Sequence, residues 1–443
     1  MADSDVATAP PQDDRMLRII RSAMTLSPRV RRPLASTLRL VPLVTPQMVA
    51  FMVSPEVRSE PWNLYRALRN RYPIRRVPPG LWLVSRHADA AALARHPRLS
   101  VDESNSNLFP DTPPSGPFSD FVEGIMLFAD PPDHDRLRRL VARAFTPRRV
   151  EELRPRIEAL TAQRLDAIEA RGKVELLADL AYPLPIDVIC EMLGVPEADR
   201  HLFPGWARAL ASRFDIEPLR TPEINRAGDQ AAQELTDHLD GLITDASRRT
   251  PGGLIDALVS IGEEGDSLTR REVITTCGLL LIAGHETTAN LIANGLLALL
   301  RQPDALAALR SGDVPMERAV EELLRHDGPV QMVQRVALED LEVRGTIIPA
   351  GHLIVLLLGA ANRDPEVFHD PERLDLSRSP NPHLAFSSGI HACLGASLAR
   401  LEAAVVLRQL LDRFPRLRLD GRPQWRETFV LRGLKSLPLA WDG

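Results

Sequence analysis

Cysteine is scarce in this chain, and the few thiols lie far apart. Of 443 residues, three are cysteine: Cys190, Cys277 and Cys393. So few and so scattered cysteines exclude the disulfide framework that stabilises small secreted domains. We therefore expect the protein to work in a reducing cytoplasm.

A strong charge of one sign is lacking too. The chain carries 54 basic and 59 acidic residues, which gives a formal net charge of −5. Domains that bind nucleic acid usually present a strongly basic surface. We therefore expect no nucleic-acid partner.

Long apolar runs are also missing. The best candidate, residues 38–53, is interrupted by Arg39, Pro42 and Pro46, whereas a helix that spans a bilayer needs about 20 apolar residues. The N-terminus lacks the pattern of a secretory signal. We expect no transmembrane anchor.

Residues 1–54 are interpreted as an N-terminal extension, of which about the first 14 are predicted to be disordered because they are acidic, small and proline-containing.

Amphipathic helical stretches make up most of what is present, and the 38 prolines fall between them. The helical stretches are 61–71, 86–96, 133–145, 149–171, 225–248 and 397–414. The strand-like segments are fewer: 81–85, 333–338, 351–358 and 429–433. The predicted fold class is therefore mainly α with small β-sheets.

One predicted helix is unusually long and apolar. It begins at Thr269, which forms a capping-box pattern with Glu272, and it runs to about Arg301 before Pro303. Its middle is apolar nearly all round, which is typical of a helix buried in a large domain. Polar residues 285–288 lie within that buried stretch. Such groups need hydrogen-bond partners or a function, and this helix alone does not decide between the two.

A cysteine loop precedes the last predicted helix. Phe386, Gly389, His391, Cys393 and Gly395 have the spacing F-x-x-G-x-H-x-C-x-G. Glycines allow close approach of the backbone to a flat ligand, and a helix N-terminus lowers the pKa of a thiol, which favours the metal-binding thiolate. No second cysteine or histidine pair has zinc-finger spacing, so a structural zinc site is disfavoured.

Four motifs occur in a characteristic order. DPPDHDRLRRL lies at 130–140, AGHETT at 283–288, ELLR at 322–325, and the cysteine loop at 386–395. Together they resemble the motifs of the cytochrome P450 haem-thiolate monooxygenases, and the likeness covers about residues 55–443. It implies one large, triangular domain with a long central helix over the haem, and not the three or so domains that length alone suggests.

The resemblance implies a role for each matching residue. Cys393 would be the axial ligand of the haem iron, and Glu286 and Thr287 would form a catalytic acid–alcohol pair that relays protons. The residues implied to bind haem b are His134, Arg138, Ala283, Gly284, Arg335, Phe386, His391, Cys393 and Gly395. Glu322 and Arg325 would form a buried structural pair, although Glu321 has a suitable spacing for the same arginine.

Two positions depart from the family pattern. Ser387 stands where glycine is usual, and Leu374 where phenylalanine is common. The first could alter hydrogen bonding near the sulfur and tune its potential. Neither change threatens ligation of the iron.

The resemblance also implies a substrate and an electron donor. O₂ would be the co-substrate, and one of its oxygen atoms would be inserted into an apolar small molecule. The expected pocket residues, which would serve equally well as plain core, are Phe118, Phe121, Leu280, Val330, Met332 and Phe429. Because no stretch resembles a flavin or nicotinamide domain, electrons would come from an external ferredoxin and its reductase. The arginines expected to form its docking surface are Arg136, Arg139, Arg143, Arg148, Arg149 and Arg400.

Two other functions stay open at this point. One is a thiolate-haem enzyme that does not hydroxylate, such as a peroxygenase, isomerase or dehydratase. The other is a haem-binding sensor without turnover. The presence of both Glu286 and Thr287 favours the monooxygenase.

Overall fold

The computed structural model describes residues 51, 54–108, 115–215, 220–260 and 268–442. The extension predicted for residues 1–54 lies almost wholly outside this part, as does the predicted disorder of its first residues. Among the described residues, no helix combines the length and apolar composition that crossing a bilayer requires.

Helices form most of the described structure, as the sequence predicts. They are α1 (Pro55–Ser59), α2 (Trp62–Arg71), α3 (His87–Leu93), α4 (Pro117–Glu123), α5 (Asp133–Ala142), α6 (Pro147–Glu151), α7 (Arg154–Glu169), α8 (Pro183–Leu193), α9 (Phe203–Ala211), α10 (Pro222–Thr244), α11 (Leu254–Ser260), α12 (Arg270–Leu300), α13 (Pro303–Arg310), α14 (Met316–Asp327), α15 (Leu358–Ala361) and α16 (Ala396–Arg413). A short π-helical turn, Leu177–Ala181, precedes α8.

The strands are short and form small sheets. They are β1 (Ile74–Val77), β2 (Leu81–Val84), β3 (Leu99–Ser100), β4 (Lys173–Glu175), β5 (Val333–Ala337), β6 (Leu341–Val343), β7 (Thr346–Ile348), β8 (Leu353–Leu356), β9 (Arg418–Leu419), β10 (Gln424–Trp425), β11 (Leu434–Ser436) and β12 (Pro438–Ala440). The largest sheet has the order β1-β2-β8-β5-β3, and the smaller ones are β4-β12-β9, β6-β7 and β10-β11. Only the β2–β8 pairing among these described ladders is parallel.

Helix α12 is the predicted long central helix. The side chain of Thr269 accepts from the backbone of Glu272, and the Glu272 side chain accepts from the backbone N–H of Thr269, so the capping box is confirmed. Its 31 residues, at about 1.5 Å each, make a rod of roughly 46 Å. Most of its side chains are buried in the largest hydrophobic cluster of the molecule. One body therefore surrounds this helix, and the mainly α fold class is confirmed.

The predicted strand at 429–433 is wrong. Leu431 forms only an isolated bridge with Val330, and the nearby strands lie on either side of this segment. The physical reason is a side chain: the carboxylate of Asp215 accepts from the backbone N–H groups of Phe429 and Val430. A side-chain acceptor thus takes the place that a neighbouring strand would have.

Candidate active site

The loop from Phe386 to Gly395 leads directly into helix α16. The N–H of Cys393 donates to the carbonyl of Phe386 at 3.0 Å, and that of Ala392 donates to Gly389 at 3.1 Å. Gly389 has φ +80°, and a Cβ there would lie 2.7 Å from the carbonyl oxygen of Ala94. Glycine is therefore required at this position by both conformation and space.

Ser387 occupies a glycine-like conformation in the same loop. Its φ is +58°, in the left-handed region that costs a non-glycine residue about 1–2 kcal/mol. Its hydroxyl is buried without a hydrogen-bond partner. The departure from the family pattern therefore leaves the turn in place and adds local strain and an unsatisfied polar group.

Four nitrogen-bearing side chains predicted to bind a haem lie close together. The rings of His134 and His391 have centroids 4.2 Å apart, and Arg138 donates to the carbonyl of Ala392 at 2.7 Å. Burial, together with the charges of His134, Arg335 and Arg138, lowers the pKa of His391 to about 3. Helix α5 and strand β5 thus bring a concentrated set of donors to the cysteine loop.

Cys393 is exposed as a residue, but protein atoms surround its thiol closely enough to remove much of its hydration. This desolvation raises its pKa, although a hydrogen bond from the backbone of Gly395 and the charges of Arg138 and Arg400 oppose the rise. The sequence predicts a lowered pKa. The structure gives the opposite direction because loss of hydration outweighs the helix N-terminus and the two arginines.

One stripe in the middle of helix α12 is open, although the residues on either side of it along the helix are buried. Ala283 is exposed, and Gly284 and Thr287 are partly exposed. Their spacing places them on one face of the helix, and a Cβ at Gly284 would have no heavy atom within 4 Å. The hydroxyl of Thr287 donates to the carbonyl of Ala283 at 2.6 Å.

Glu286 faces a different neighbour. Its side chain is 5% exposed, and one carboxylate oxygen accepts from Arg426 Nη1 at 2.6 Å. Among the described residues, no hydrogen bond joins the side chains of Glu286 and Thr287. Arg426 was not predicted from the sequence, since it lies 140 positions from Glu286 in a segment without a recognisable motif.

The pair Glu322 and Arg325 is fully buried at one end of helix α14. Arg325 donates to both carboxylate oxygens of Glu322, each at 2.7 Å. The rival acid, Glu321, instead bonds to Arg400 and His383. The remaining donors of Arg325 reach the backbone carbonyls of Asn362, Pro371 and Arg373. This geometry locks α14 to the segments that lead into the cysteine loop.

Comparison with known proteins decides the family. The family model described as cytochrome P450 matches residues 105–312 and 315–432.

The chain belongs to the cytochrome P450 family.

Individual relatives agree with this assignment. The cytochrome P450 monooxygenase PikC of Streptomyces venezuelae is 43% identical over 394 residues, which cover 86% of this chain and 91% of that protein. The 6-deoxyerythronolide B hydroxylase of Saccharopolyspora erythraea is 38% identical over 410 residues, 88% of this chain and 99% of that protein. A crystal structure of P450BioI in complex with hexadec-9Z-enoic acid-ligated acyl carrier protein has a TM-score of 0.81 and 39% identity, and the match covers 87% of this chain and 100% of that one. The chain is thus a haem-dependent monooxygenase that uses a haem-thiolate centre and O₂.

The residues of this cytochrome P450 fit a haem. Gly284 and Gly395 could each accept a Cβ without any contact within 4 Å, so neither glycine is explained by the packing of the protein itself. A haem carries two carboxylates, and the cluster of His134, Arg138, Arg335 and His391 supplies the matching donors. Cys393 supplies the thiol beside them, and the family cofactor therefore has a suitable place.

The six predicted pocket residues do not form one cluster. Phe118, Phe121 and Leu280 belong to the large core around α12, while Val330 and Met332 pack against two other hydrophobic clusters. Phe121 presses on helix α12, where a Cβ at Gly278 would lie 2.5 Å from its ring. These side chains therefore have packing roles of their own, whatever they contribute to a pocket.

Phe429 lies in a fourth environment. Its ring makes an edge contact with Phe51 at 5.1 Å between centroids, and the guanidinium of Arg58 lies 5.0 Å from its centroid. Its backbone is tied to Asp215. This position joins the C-terminal segment to the N-terminal helices, and Phe429 lines a small cavity there with Phe51 and Arg58.

The predicted arginine docking surface is largely paired. Arg136 bonds to Glu272, Arg400 to Glu321, and both Arg148 and Arg149 to Glu152. Arg139 and Arg143 are exposed on the same short stretch of chain. Arg143 has no ion-pair partner among the residues that the structure describes, so the positive surface is smaller than the sequence suggests.

Proposed function

We propose that this cytochrome P450 hydroxylates an apolar organic molecule, holds haem b as its cofactor, works in the cytoplasm and receives electrons from a ferredoxin. The observation that carries the proposal is the combination of the Cys393 loop with the donors around His391. A thiolate ligand on haem iron favours cleavage of the O–O bond, and this is the chemistry that the group supplies when bound.

The protein's own residues have separable tasks in this proposal. Cys393 provides the axial ligand, while the cluster of His134, Arg138, Arg335 and His391 would neutralise the two propionates. The small residues Ala283 and Gly284 leave space on the open face of α12. Thr287 and Glu286 would hold and pass protons, as general acid–base groups do when positioned near the reacting atoms.

The absorption spectrum of the reduced carbon monoxide complex tests the ligand. A thiolate ligand gives a strongly red-shifted Soret band in the wild type, and the Cys393→Ser variant should lose it. The matched control is Cys277→Ser, because Cys277 is fully buried in α12 and burial raises its pKa to about 12. Retention of the band in Cys393→Ser would refute the assigned ligand.

The acid–alcohol pair needs a test during turnover. Thr287→Ala removes the hydroxyl that donates to Ala283, so more of the consumed electrons should end in hydrogen peroxide. We expect the ratio of peroxide to reductant to rise by about tenfold, because a positioned proton-transfer group speeds its step by about a hundredfold or more and peroxide release competes with that step. An unchanged ratio with substrate bound would remove Thr287 from the relay.

The proposed substrate class is supported by two relatives of this chain and by the apolar residues of α12. The hydroxylase of S. erythraea is named for 6-deoxyerythronolide B, and P450BioI was crystallised with hexadec-9Z-enoic acid on a carrier protein. Apolar residues line much of α12 next to its open face. A titration of an apolar compound library, read by the spin-state change of the ferric enzyme, should find ligands among such compounds. A library in which only charged polar compounds shift the spectrum would contradict this class.

The electron donor is the remaining part of the proposed function. Exposed Arg139 and Arg143 would attract an acidic ferredoxin, and such attraction weakens with salt. Charge reversal at both positions should lower the rate of reduction and flatten its salt dependence. Reversal at Arg148 and Arg149, which share Glu152, is the matched control. Equal salt dependence in all three proteins would exclude this surface.

A further inference from the structure

Two segments that are distant in the chain contact helix α12 before and after its open stripe. Phe121 of α4 packs against Gly278, and the backbone of Gly433 in the C-terminal segment packs against the side chain of Asn290. At about 1.5 Å per residue, these two contacts are roughly 18 Å apart along the helix axis, and the open stripe lies between them. Both segments therefore border the stretch of α12 that carries the stripe.

A short turn at 212–215, here called the Asp215 turn, connects these two segments. It follows directly after helix α9. The ring of Phe214 lies 5.6 Å from that of Phe118 on α4, between centroids. The carboxylate of the next residue, Asp215, accepts from the backbone N–H of Phe429 at 3.1 Å. Adjacent residues of one turn thus contact the two segments that border the stripe.

The Asp215 turn is held in place by α4 and α10. Arg213 Nη1 donates to the carbonyl of Asn225 at 2.8 Å and to the carboxylate of Asp229 at 3.2 Å, both on α10. Its guanidinium also lies 4.2 Å from the ring centroid of Phe118. Gly228 makes room for this arginine, because a Cβ there would lie 2.4 Å from the Arg213 side chain. The turn is therefore a fixed support and not a loose connection.

From this support, Asp215 supplies hydrogen-bond acceptors to the C-terminal segment. The N–H of Phe429 donates to both carboxylate oxygens, at 3.1 and 3.2 Å, and the N–H of Val430 donates to one of them at 3.4 Å. Asp215 is 9% exposed. Because a buried N–H group without an acceptor is costly, removal of the carboxylate would force this backbone to move toward other acceptors or water.

Such a movement would reach several of the predicted pocket residues. Phe429 is bonded to Asp215 directly, and Val330 is joined to the same segment through its bridge with Leu431. Phe118 lies against the other end of the turn. Three of the six predicted pocket residues, although they belong to different hydrophobic clusters, are thus positioned relative to one another by the same turn.

We propose that Asp215 is a positioning residue for the substrate: its carboxylate fixes the backbone at Phe429 and thereby sets the width of the pocket between the C-terminal segment and α4. The proposal rests on the proposed function, in which an apolar molecule binds beside the open stripe of α12. Asp215 acts through Phe429 and does not itself have to touch that molecule.

The first test uses the ferric holoenzyme and N-alkylimidazoles with chains of one to six carbons. The free ring nitrogen binds the haem iron and shifts the Soret band, while the chain extends into the pocket. In the wild type, each methylene that the pocket buries should raise the affinity by about fourfold. In Asp215→Ala the chain stays partly in water, so the gain should fall to about twofold per methylene, with the affinity for N-methylimidazole unchanged. An equal gain per methylene in both proteins would overturn the proposal.

The second test asks whether Asp215 acts through Phe429. Phe429→Ala should lower the gain per methylene by itself, and the addition of Asp215→Ala should then have no further effect. A merely structural role of Asp215 would add its own loss in this background. A wild-type gain in Phe429→Ala would exclude this ring from the pocket and refute the proposal.

The control variant is Asp364→Ala. Asp364 is 3% exposed, and its carboxylate accepts from the N–H groups of His87 and Glu366 at 2.9 and 3.1 Å. It therefore matches Asp215 in burial and in bonding to two backbone groups, but neither partner is a predicted pocket residue. Its gain per methylene should equal that of the wild type, and a fall as large as in Asp215→Ala would contradict a specific role of Asp215.

A milder pair of variants covers failure to fold. Asp215→Asn keeps the shape and one acceptor oxygen, so it should lower the gain per methylene in the same direction but by less. If either alanine variant does not fold, Asp215→Asn and Asp364→Asn replace the alanine variants in both tests.

The outcomes separate this proposal from the proposed function. If the affinity of the wild type does not rise with chain length, the apolar substrate class fails, and the positioning role fails with it. If the affinity rises equally in the wild type and in the Asp215 variants, only the role of Asp215 is refuted.

Discussion

Two buried polar regions of this cytochrome P450 differ in how completely their groups are bonded. Around Glu322, both carboxylate oxygens accept from Arg325, and Arg378, Asn381 and the N–H of Asp375 add further donors. Around Glu286, one arginine is the partner among the described residues. Both acids are nearly inaccessible, with side chains 1% and 5% exposed.

This difference distinguishes a structural network from a region that is proposed to transfer protons. A fully bonded buried network has one arrangement, and any change leaves an uncompensated charge. A sparsely bonded region can rearrange or admit water at a smaller cost, which proton transfer requires. The number of missing partners therefore distinguishes a rigid part of this fold from an adaptable one, and four comparisons of stability test this distinction.

The largest effect is expected at the fully bonded acid. Glu322→Ala leaves the guanidinium of Arg325 buried at 0% exposure without its counter-charge, so the free energy of unfolding should fall by about 3–5 kcal/mol. Denaturant unfolding of the holoenzyme measures it. The neighbouring Glu321→Ala is the control, because that carboxylate is 31% exposed and should cost about 1 kcal/mol or less. Equal losses of stability in Glu322→Ala and Glu321→Ala would contradict the distinction between the fully bonded and the partly exposed carboxylate.

A third buried carboxylate, that of Glu402, has no hydrogen bond or ion pair with another side chain in the part of the chain that the structure describes. Glu402 on α16 is fully buried, one oxygen has no partner, and burial raises its pKa to about 8. In the unfolded chain it ionises near 4.5, and ionisation there favours unfolding. Its contribution to stability is therefore largest below pH 4.5 and declines until about pH 8.

Glu402→Gln removes this pH-dependent term. At pH 8 the variant should be more stable than the wild type by about 2 kcal/mol, and the gain should shrink toward pH 5. Thermal or denaturant unfolding of the wild type and the variant at pH 5 and at pH 8 measures the gain in stability at each pH. A gain that is the same at pH 5 and pH 8 would show that Glu402 does not titrate in this way.

Two asparagines one turn apart on α12 repeat the comparison at equal burial. The amide of Asn294 donates to the carbonyls of Asp327 and Arg432, whereas neither side-chain atom of Asn290 has a partner among the described residues. Both substitutions to alanine remove the same volume. Asn294→Ala should therefore lose about 1 kcal/mol more stability than Asn290→Ala. The opposite order in denaturant unfolding would contradict this interpretation.

The sequence predicts the parts of the molecule that depend on local signals. The capping box at Thr269 and the absence of proline up to Pro303 define α12, and the spacing around Cys393 defines the loop. It does not predict which acid binds Arg325, because spacings of three and four residues are both possible on a helix. That choice depends on the donors of the segment at 375–381, which folding alone brings to Glu322.

Contacts between distant segments are the second feature of the molecule that the sequence does not predict. Nothing in the sequence distinguishes Arg426 from the other arginines of this chain. Its position beside Glu286 becomes evident only in the folded structure, where the C-terminal segment lies on Asn290. The direction of the Cys393 pKa is missed for a similar reason, since desolvation depends on how tightly the loop packs. The motif identifies Cys393, whereas tertiary packing sets the direction of its pKa shift and brings Arg426 to Glu286.

The smallest effect is expected at Ser387, where a polar group is unsatisfied and the backbone is strained. Ser387→Gly removes a buried hydroxyl without a partner and relieves a φ of +58°. Glycine adds freedom to the unfolded chain, which offsets part of this gain, so stability should rise by about 1 kcal/mol. Gly389→Ser is the matched reverse change, because φ is +80° there and a Cβ would lie 2.7 Å from the carbonyl of Ala94. Holoenzyme unfolding should therefore move in opposite directions for the two variants. A loss of stability in Ser387→Gly would mean that the hydroxyl has a bonding role in the loop, and the distinction between rigid and adaptable parts would then not extend to this loop.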